Sequence, residues 1–212
     1  MSYLTFSKRW AGYLSRKNGL PTEQETVLAY VIEVLILNLL NIIFTLLLGA
    51  LLGVLTGTAA CLLTAVLFRH SAGGAHSNSP IRCAAVTIAI FPLLALLGAY
   101  FSHLGQEYVD ILSVIAFGAG MTAMILLAPV DSPAAPIISS LRRKKLKGLS
   151  IILMILVTAT ALWLRGNQWQ YAETVRACVN LTLLWTSFML TGWGRKLMSF
   201  IDNIFIKNQK EV

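Results

Sequence analysis

Two residues of the chain have the types and spacing that covalent catalysis needs: His76 and, seven positions on, Cys83. A thiolate is a strong nucleophile, and an imidazole exchanges protons near neutral pH. Together they suit attack on a carbonyl, with His76 as base and then as acid. They lie in Phe68-Arg-His-Ser-Ala-Gly-Gly-Ala-His-Ser-Asn-Ser-Pro-Ile-Arg-Cys83, which holds two of the three histidines. Pro80 suits the first position of a helix and Ser79 its N-cap, which puts Cys83 in a helical first turn. The helix dipole and neighbouring Arg82 both favour a nucleophilic sulfur there. In one unbroken helix, residues seven apart stand about 10.5 Å apart along the axis, marginal for an imidazole–thiol contact. Gly73-Gly74 and Pro80 supply the bend that would bring them together. On the residues alone, a packing cysteine beside a solvated histidine weighs about as much. A metal site from His70, His76 and Cys83 lacks a carboxylate or fourth ligand, so no metal or cofactor is expected.

The elements that must position this pair are membrane helices. The chain has 212 residues, 57% of them hydrophobic and 12% charged, with a mean hydropathy of +0.73. Soluble domains carry about a quarter charged residues. Here long apolar runs alternate with short basic stretches, the pattern of an all-α, polytopic integral membrane protein. Residues 2–18 read as an amphipathic interfacial helix, with Tyr3, Phe6, Trp10, Tyr13 and Leu14 at helical spacing and Lys8, Arg9, Arg16 and Lys17 as its basic face. From Val27 to Phe68 the chain is almost continuously apolar. As one helix it would run about 63 Å, twice the bilayer core, so it must fold back, and Gly49 to Gly53 is the place. Spans are expected at about 27–48, 51–68, 82–101, 108–128, 149–165 and 173–193, six in all. The whole reads as one membrane-embedded domain, 1–212, with the interfacial helix at 1–18, the bundle at 27–193 and a cytoplasmic tail at 194–212.

Charge sets the sidedness. With the N-terminus inside, fifteen of the seventeen Lys and Arg face the cytoplasm, leaving Arg165 and Arg176 outside. Both termini are then cytoplasmic, and the His76–Cys83 segment lies at the cytoplasmic boundary. The net charge of +8 fits loops beside anionic lipid better than nucleic acid. Cys61, Cys83 and Cys178 make no disulfide framework, and no cleaved signal peptide is expected.

The run Arg69-His70-Ser71-Ala72-Gly73-Gly74-Ala75-His76 followed by Cys83 resembles the signature of the accessory gene regulator B (AgrB) family. Ala128-Pro129-Val130-Asp131-Ser132-Pro133 through Pro136, with the basic run Arg142 to Lys147 after it, is similar to a second motif of that family. Tyr30-Val31-Ile32-Glu33 is similar to a third stretch. The resemblance covers essentially the whole chain and implies a membrane-embedded cysteine endopeptidase of a Gram-positive bacterial cell membrane. Such an enzyme removes the C-terminal tail of a short AgrD-like precursor peptide and helps close the remainder into a thiolactone or lactone quorum-sensing signal. Carried over by motif, Cys83 is the nucleophile and His76 its base, while Arg69 and Gly74 occupy motif positions.

Two carboxylates are candidates for orienting the histidine. Glu33 lies within a span, where an ionisable group is costly and faces the bundle interior; it orients His76 or is structural. Asp131 orients His76 or closes a turn. The basic run anchors to anionic lipid. Gly49, Gly53, Gly57 and Cys61 are spaced as one helical stripe of small residues, which packs within the chain or between two copies in a homodimer. A small-solute transporter or channel is the competing class. It would want charges or broken helices at mid-membrane, and the spans offer little beyond Glu33 and Pro92.

Overall fold

The computed structural model describes residues 5–77, 79–131 and 137–207, with the side chains of the last helix described as far as Asn203. Tyr3, Lys210 and the part of the second motif from Ser132 to Pro136 lie outside the described residues. Among the described residues there are eight helices and no strand. The chain divides into two compact units, residues 1–44 and 45–212.

In the first unit, helix α1 (Thr5–Asn18) precedes most of α2 (Thr22–Leu51). Helix α1 covers most of the helix expected at 2–18, with Phe6, Trp10 and Tyr13 exposed. Gly19 closes it with a φ of 63°, and Ser15 accepts from the Leu20 amide at 3.0 Å through its carbonyl. Glu25 approaches Gly12 so closely that a Cβ there would lie 3.3 Å from its Oε1.

In the second unit, the fold-back expected between 49 and 53 falls at residues 52–54, where Gly53 takes a φ of 73°. Helix α3 (Leu55–Ser71) follows, then α4 (Pro80–Leu104), α5 (Gln106–Leu126), α6 (Ser140–Trp163), α7 (Ala172–Leu190) and α8 (Gly192–Lys207). Among the described residues four helices, α2, α4, α5 and α6, are long and apolar enough to cross a membrane. Helix α3 has 17 residues, and the 19-residue α7 carries Glu173 and Arg176. These two therefore lack by themselves the length or apolarity of the other four.

Helix α7 is the axis of this unit, packed against α3, α4, α5, α6 and α8. Encirclement explains how it carries polar groups without facing lipid. Asn180 donates to Ser113 Oγ on α5 at 2.6 Å, while Thr182 and Ser187 return their hydroxyls to backbone carbonyls one turn back. Arg176, which lies within the span expected at 173–193, is fully buried. Its guanidinium binds Glu173 at 2.9 Å and Asp110 of α5, which also holds Arg165 at 2.7 Å.

The expected stripe of small residues is split by the fold-back. Gly49 lies on α2, Gly53 in the turn, and Gly57 and Cys61 on α3. Their closeness is real but serves different neighbours. A Cβ on Gly49 would overlap Thr58, and one on Gly57 would come within 2.8 Å of Cys178 Sγ. Cys61 and Cys178 are buried in one apolar cluster with Phe91 and Ala95, so both act as small packing residues.

Within the tail expected at 194–212, the described residues 194–207 are helical. Thr191 breaks α7 with an extended ψ of 166°, and its Oγ1 accepts from the Gly194 amide at 3.3 Å, capping α8. Met198 of α8 then packs with Ala75 and Met189.

Candidate functional site

Helix α3 delivers Arg69 in its last turn, where a cation also faces the negative end of the helix dipole. The helix stops because Gly73 and Gly74 adopt φ values of 74° and 130°, which L side chains rarely take. The paired glycines also permit contact on two sides. Val130 donates its amide to the Ala72 carbonyl at 2.9 Å, and Ala75 donates to the Met189 carbonyl of α7 at 2.9 Å. A Cβ on Gly73 would drive into the Val130 carbonyl oxygen; one on Gly74 would rest 3.6 Å from Met189. The second motif reaches the site through this backbone contact.

Helix α4 then starts as the residues dictate, with Ser79 at the N-cap position and Pro80 first inside. The cap is supplied differently from expectation. Ser79 makes no side-chain cap bond; its amide donates to Ser77 Oγ at 3.1 Å. Cys83 donates its amide to the Ser79 carbonyl at 3.1 Å, so its thiol sits in the first turn, half-buried.

His76 and Cys83 meet through Arg69. One guanidinium nitrogen, Nη2, donates to His76 Nδ1 and to Cys83 Sγ, the latter at 3.5 Å. An NH₂ group has two hydrogens, so one nitrogen can serve both acceptors. Among the described residues no direct hydrogen bond joins the imidazole to the thiol. Because a guanidinium only donates, Nδ1 is the accepting nitrogen, and neutral His76 carries its proton on Nε2. His76 is exposed at the surface, yet partial desolvation of its ring and then the Arg69 charge push the histidine down to about 4. It is therefore uncharged at neutral pH.

Asp131 forms an ion pair with Arg143 at 2.5 Å, and Arg143 also donates to the Pro129 carbonyl at 3.4 Å. Asp131 is thus turned to the basic run rather than bonded to His76. Glu33 is buried on α2, in the first unit. A cavity of about 500 Å³ opens between α5 and α6, lined by Val114, Phe117 and Ile155 with Asp110 and Arg165, and holds neither His76 nor Cys83. Sequence reasoning missed Asp202 of α8, which receives the hydroxyl of Ser77 and the guanidinium of Arg82. It is the only acidic residue between 192 and 207. Its four-residue spacing from Met198, on the buried face, was the available signal.

Fold and site together define an all-helical membrane protein with an arginine–histidine–cysteine cluster where one helix ends and the next begins. The chain belongs to the accessory gene regulator B (AgrB) family, which matches residues 7–190. It is 28% identical over 204 residues to AgrB-like protein 2 of Clostridium perfringens, covering 93% of this chain and 95% of that one. It is 32% identical over 151 residues to accessory gene regulator protein B of Staphylococcus haemolyticus, covering 71% and 77%. With the protein of the same name from Staphylococcus aureus it shares 29% over 157 residues, covering 73% and 79%. No solved structure matches it.

Proposed function

We propose that this chain is a membrane-embedded cysteine endopeptidase of agr-type quorum sensing, removing the C-terminal tail of a short AgrD-type precursor peptide. The observation that carries this reading is the shared guanidinium between His76 Nδ1 and Cys83 Sγ. It gathers a nucleophile, a neutral base and a fixed positive charge, the parts acyl transfer needs.

In the resting arrangement Arg69 occupies the lone pair with which His76 would take the thiol proton. An incoming peptide carbonyl draws the guanidinium towards itself as negative charge develops on its oxygen, freeing Nδ1. Cys83 Sγ bonds to the carbonyl carbon and its proton passes to His76. The carbon–nitrogen bond then breaks, and His76 gives that proton to the departing amine of the tail. The remaining peptide is held as a thioester. An internal cysteine or serine of the peptide displaces Cys83, closing a thiolactone or lactone and restoring the thiol, provided water is kept out. The distribution of basic residues supports a site at the cytoplasmic boundary of the cell membrane, with both termini inside and anionic lipid beside them.

The test is mass spectrometry of candidate precursor peptides co-expressed with wild type, Cys83→Ala or His76→Ala. Tail loss with wild type alone is the expected result, and a fragment lighter by one further water adds cyclisation. Undiminished cleavage by either variant would sink the pair. Candidate precursors that all survive wild type would move weight to a transporter.

A further inference from the structure

We propose that Asp202 is a positioning residue for the site: from the C-terminal helix, its carboxylate ties the loop bearing His76 to the helix turn bearing Cys83. The proposal deepens the peptidase reading and rests on it for its effect on turnover. Two observations support it. Ser77, the neighbour of His76, donates its hydroxyl to Asp202 Oδ1. Arg82, the neighbour of Cys83, donates to the same oxygen at 3.4 Å and to the Asp202 backbone carbonyl at 3.0 Å.

The connections form a closed path. Ser77 Oγ, while donating to Asp202, accepts from the Ser79 amide at the α4 N-cap. One carboxylate oxygen therefore fixes the residue after His76, the helix start and the residue before Cys83. Gly73 and Gly74 leave this loop with little intrinsic stiffness, so its order has to come from such external ties. Burial strengthens the tie: Asp202 is 4% exposed, and a charge-assisted hydrogen bond shielded from water is worth more than a surface pair. The face is set by packing, because Met198, one turn earlier on α8, lies against Ala75 and Met189. Loss of the carboxylate frees the two halves of the site from each other and leaves Arg82, beside the thiol, without this counter-charge. The thiol becomes more reactive to a small reagent while the aligned reaction slows.

This split is the readout. Full-length protein in lipid nanodiscs is treated with iodoacetamide, and the Cys83 peptide is quantified by mass spectrometry; precursor cleavage is followed in parallel. Asp202→Asn is expected to raise Cys83 alkylation threefold or more and to lower kcat tenfold or more, with KM changed less than threefold. Asp202→Glu is expected to recover part of both. Should Asp202→Asn fail to fold, Ser77→Ala, which removes one hydroxyl, is expected to move both readouts in the same directions by smaller factors. Unchanged alkylation and cleavage in a folded Asp202→Asn or Ser77→Ala protein overturns the proposal. So does a cleavage loss accompanied by unchanged alkylation and no rescue by glutamate, which marks a merely structural residue. Altered alkylation in a chain whose wild type cleaves no precursor sinks the peptidase reading and leaves the tie standing.

Discussion

Replacing Gly73 by alanine tests whether the loop is shaped by its contact with Val130 or only by its backbone angle. Gly73 and Gly166 take nearly the same left-handed φ, 74° and 70°. They differ in surroundings: nothing lies within 4 Å of a Cβ built on Gly166, whereas one on Gly73 collides with the Val130 carbonyl. The left-handed conformation costs an alanine about 1–2 kcal/mol. A less flexible unfolded chain returns about 0.4–1 kcal/mol. Gly166→Ala should therefore lose only about 1 kcal/mol. At Gly73 the collision adds about 1–3 kcal/mol of overpacking. Displacing Val130 also removes its hydrogen bond to Ala72, about 0.5–1.5 kcal/mol. The difference between the two variants should be about 1.5–4.5 kcal/mol, read from denaturant titrations in identical detergent micelles. Gly73→Ala should also lower cleavage, since Arg69 and His76 flank the displaced turn. Equal losses in the two variants, within about 0.5 kcal/mol, would refute the argument that Val130 shapes the loop.

Three further outcomes are expected. The acid limb of the cleavage pH profile should lie near 4 rather than near the ordinary histidine value of 6.5, because the folded protein keeps His76 uncharged down to that range; a limb at 6.5 in a pH–kcat/KM series counters it. Arg176→Ala should destabilise the second unit by about 1.5–3 kcal/mol, since it removes charged hydrogen bonds at a fully buried side chain while Asp110 keeps Arg165; a denaturation midpoint unchanged from wild type tells against the ion cluster. Asp131→Asn should cost under about 1 kcal/mol, its pair with Arg143 being largely exposed. Its cleavage kcat should stay within threefold of wild type, and a tenfold drop would restore it as the group that orients His76.

Much of this architecture could be read from residue order. An apolar run too long for one span forced a fold-back, and the glycine that allows it is where the chain turns. Ser79-Pro80 marked the start of α4 and with it the place of Cys83. Local chemistry of this kind is written in neighbouring residues. What remained hidden depends on partners distant in sequence. The burial of Arg176 was hidden because its partner Asp110 lies 66 positions earlier, and a single sequence does not say which helix is surrounded. The glycine spacing through 49, 53 and 57 read as one stripe because a period of four continues across a turn as readily as along a helix. Arg69 entered the site only through its motif position; nothing in its spacing says that one nitrogen reaches both His76 and Cys83. Asp202 was hidden by the basic, tail-like composition around it.

Helix α7 ends in carbonyls that its own turns leave unmatched, and one of them, on Met189, receives the amide of Ala75. The other end of the same helix is tied by Arg176 to Asp110 of α5. Between those points run 14 residues of helix, a strut of roughly 20 Å at 1.5 Å per residue. A helix is stiff along its axis, so the element that anchors the loop bearing His76 is the same one that α5 holds through Asp110.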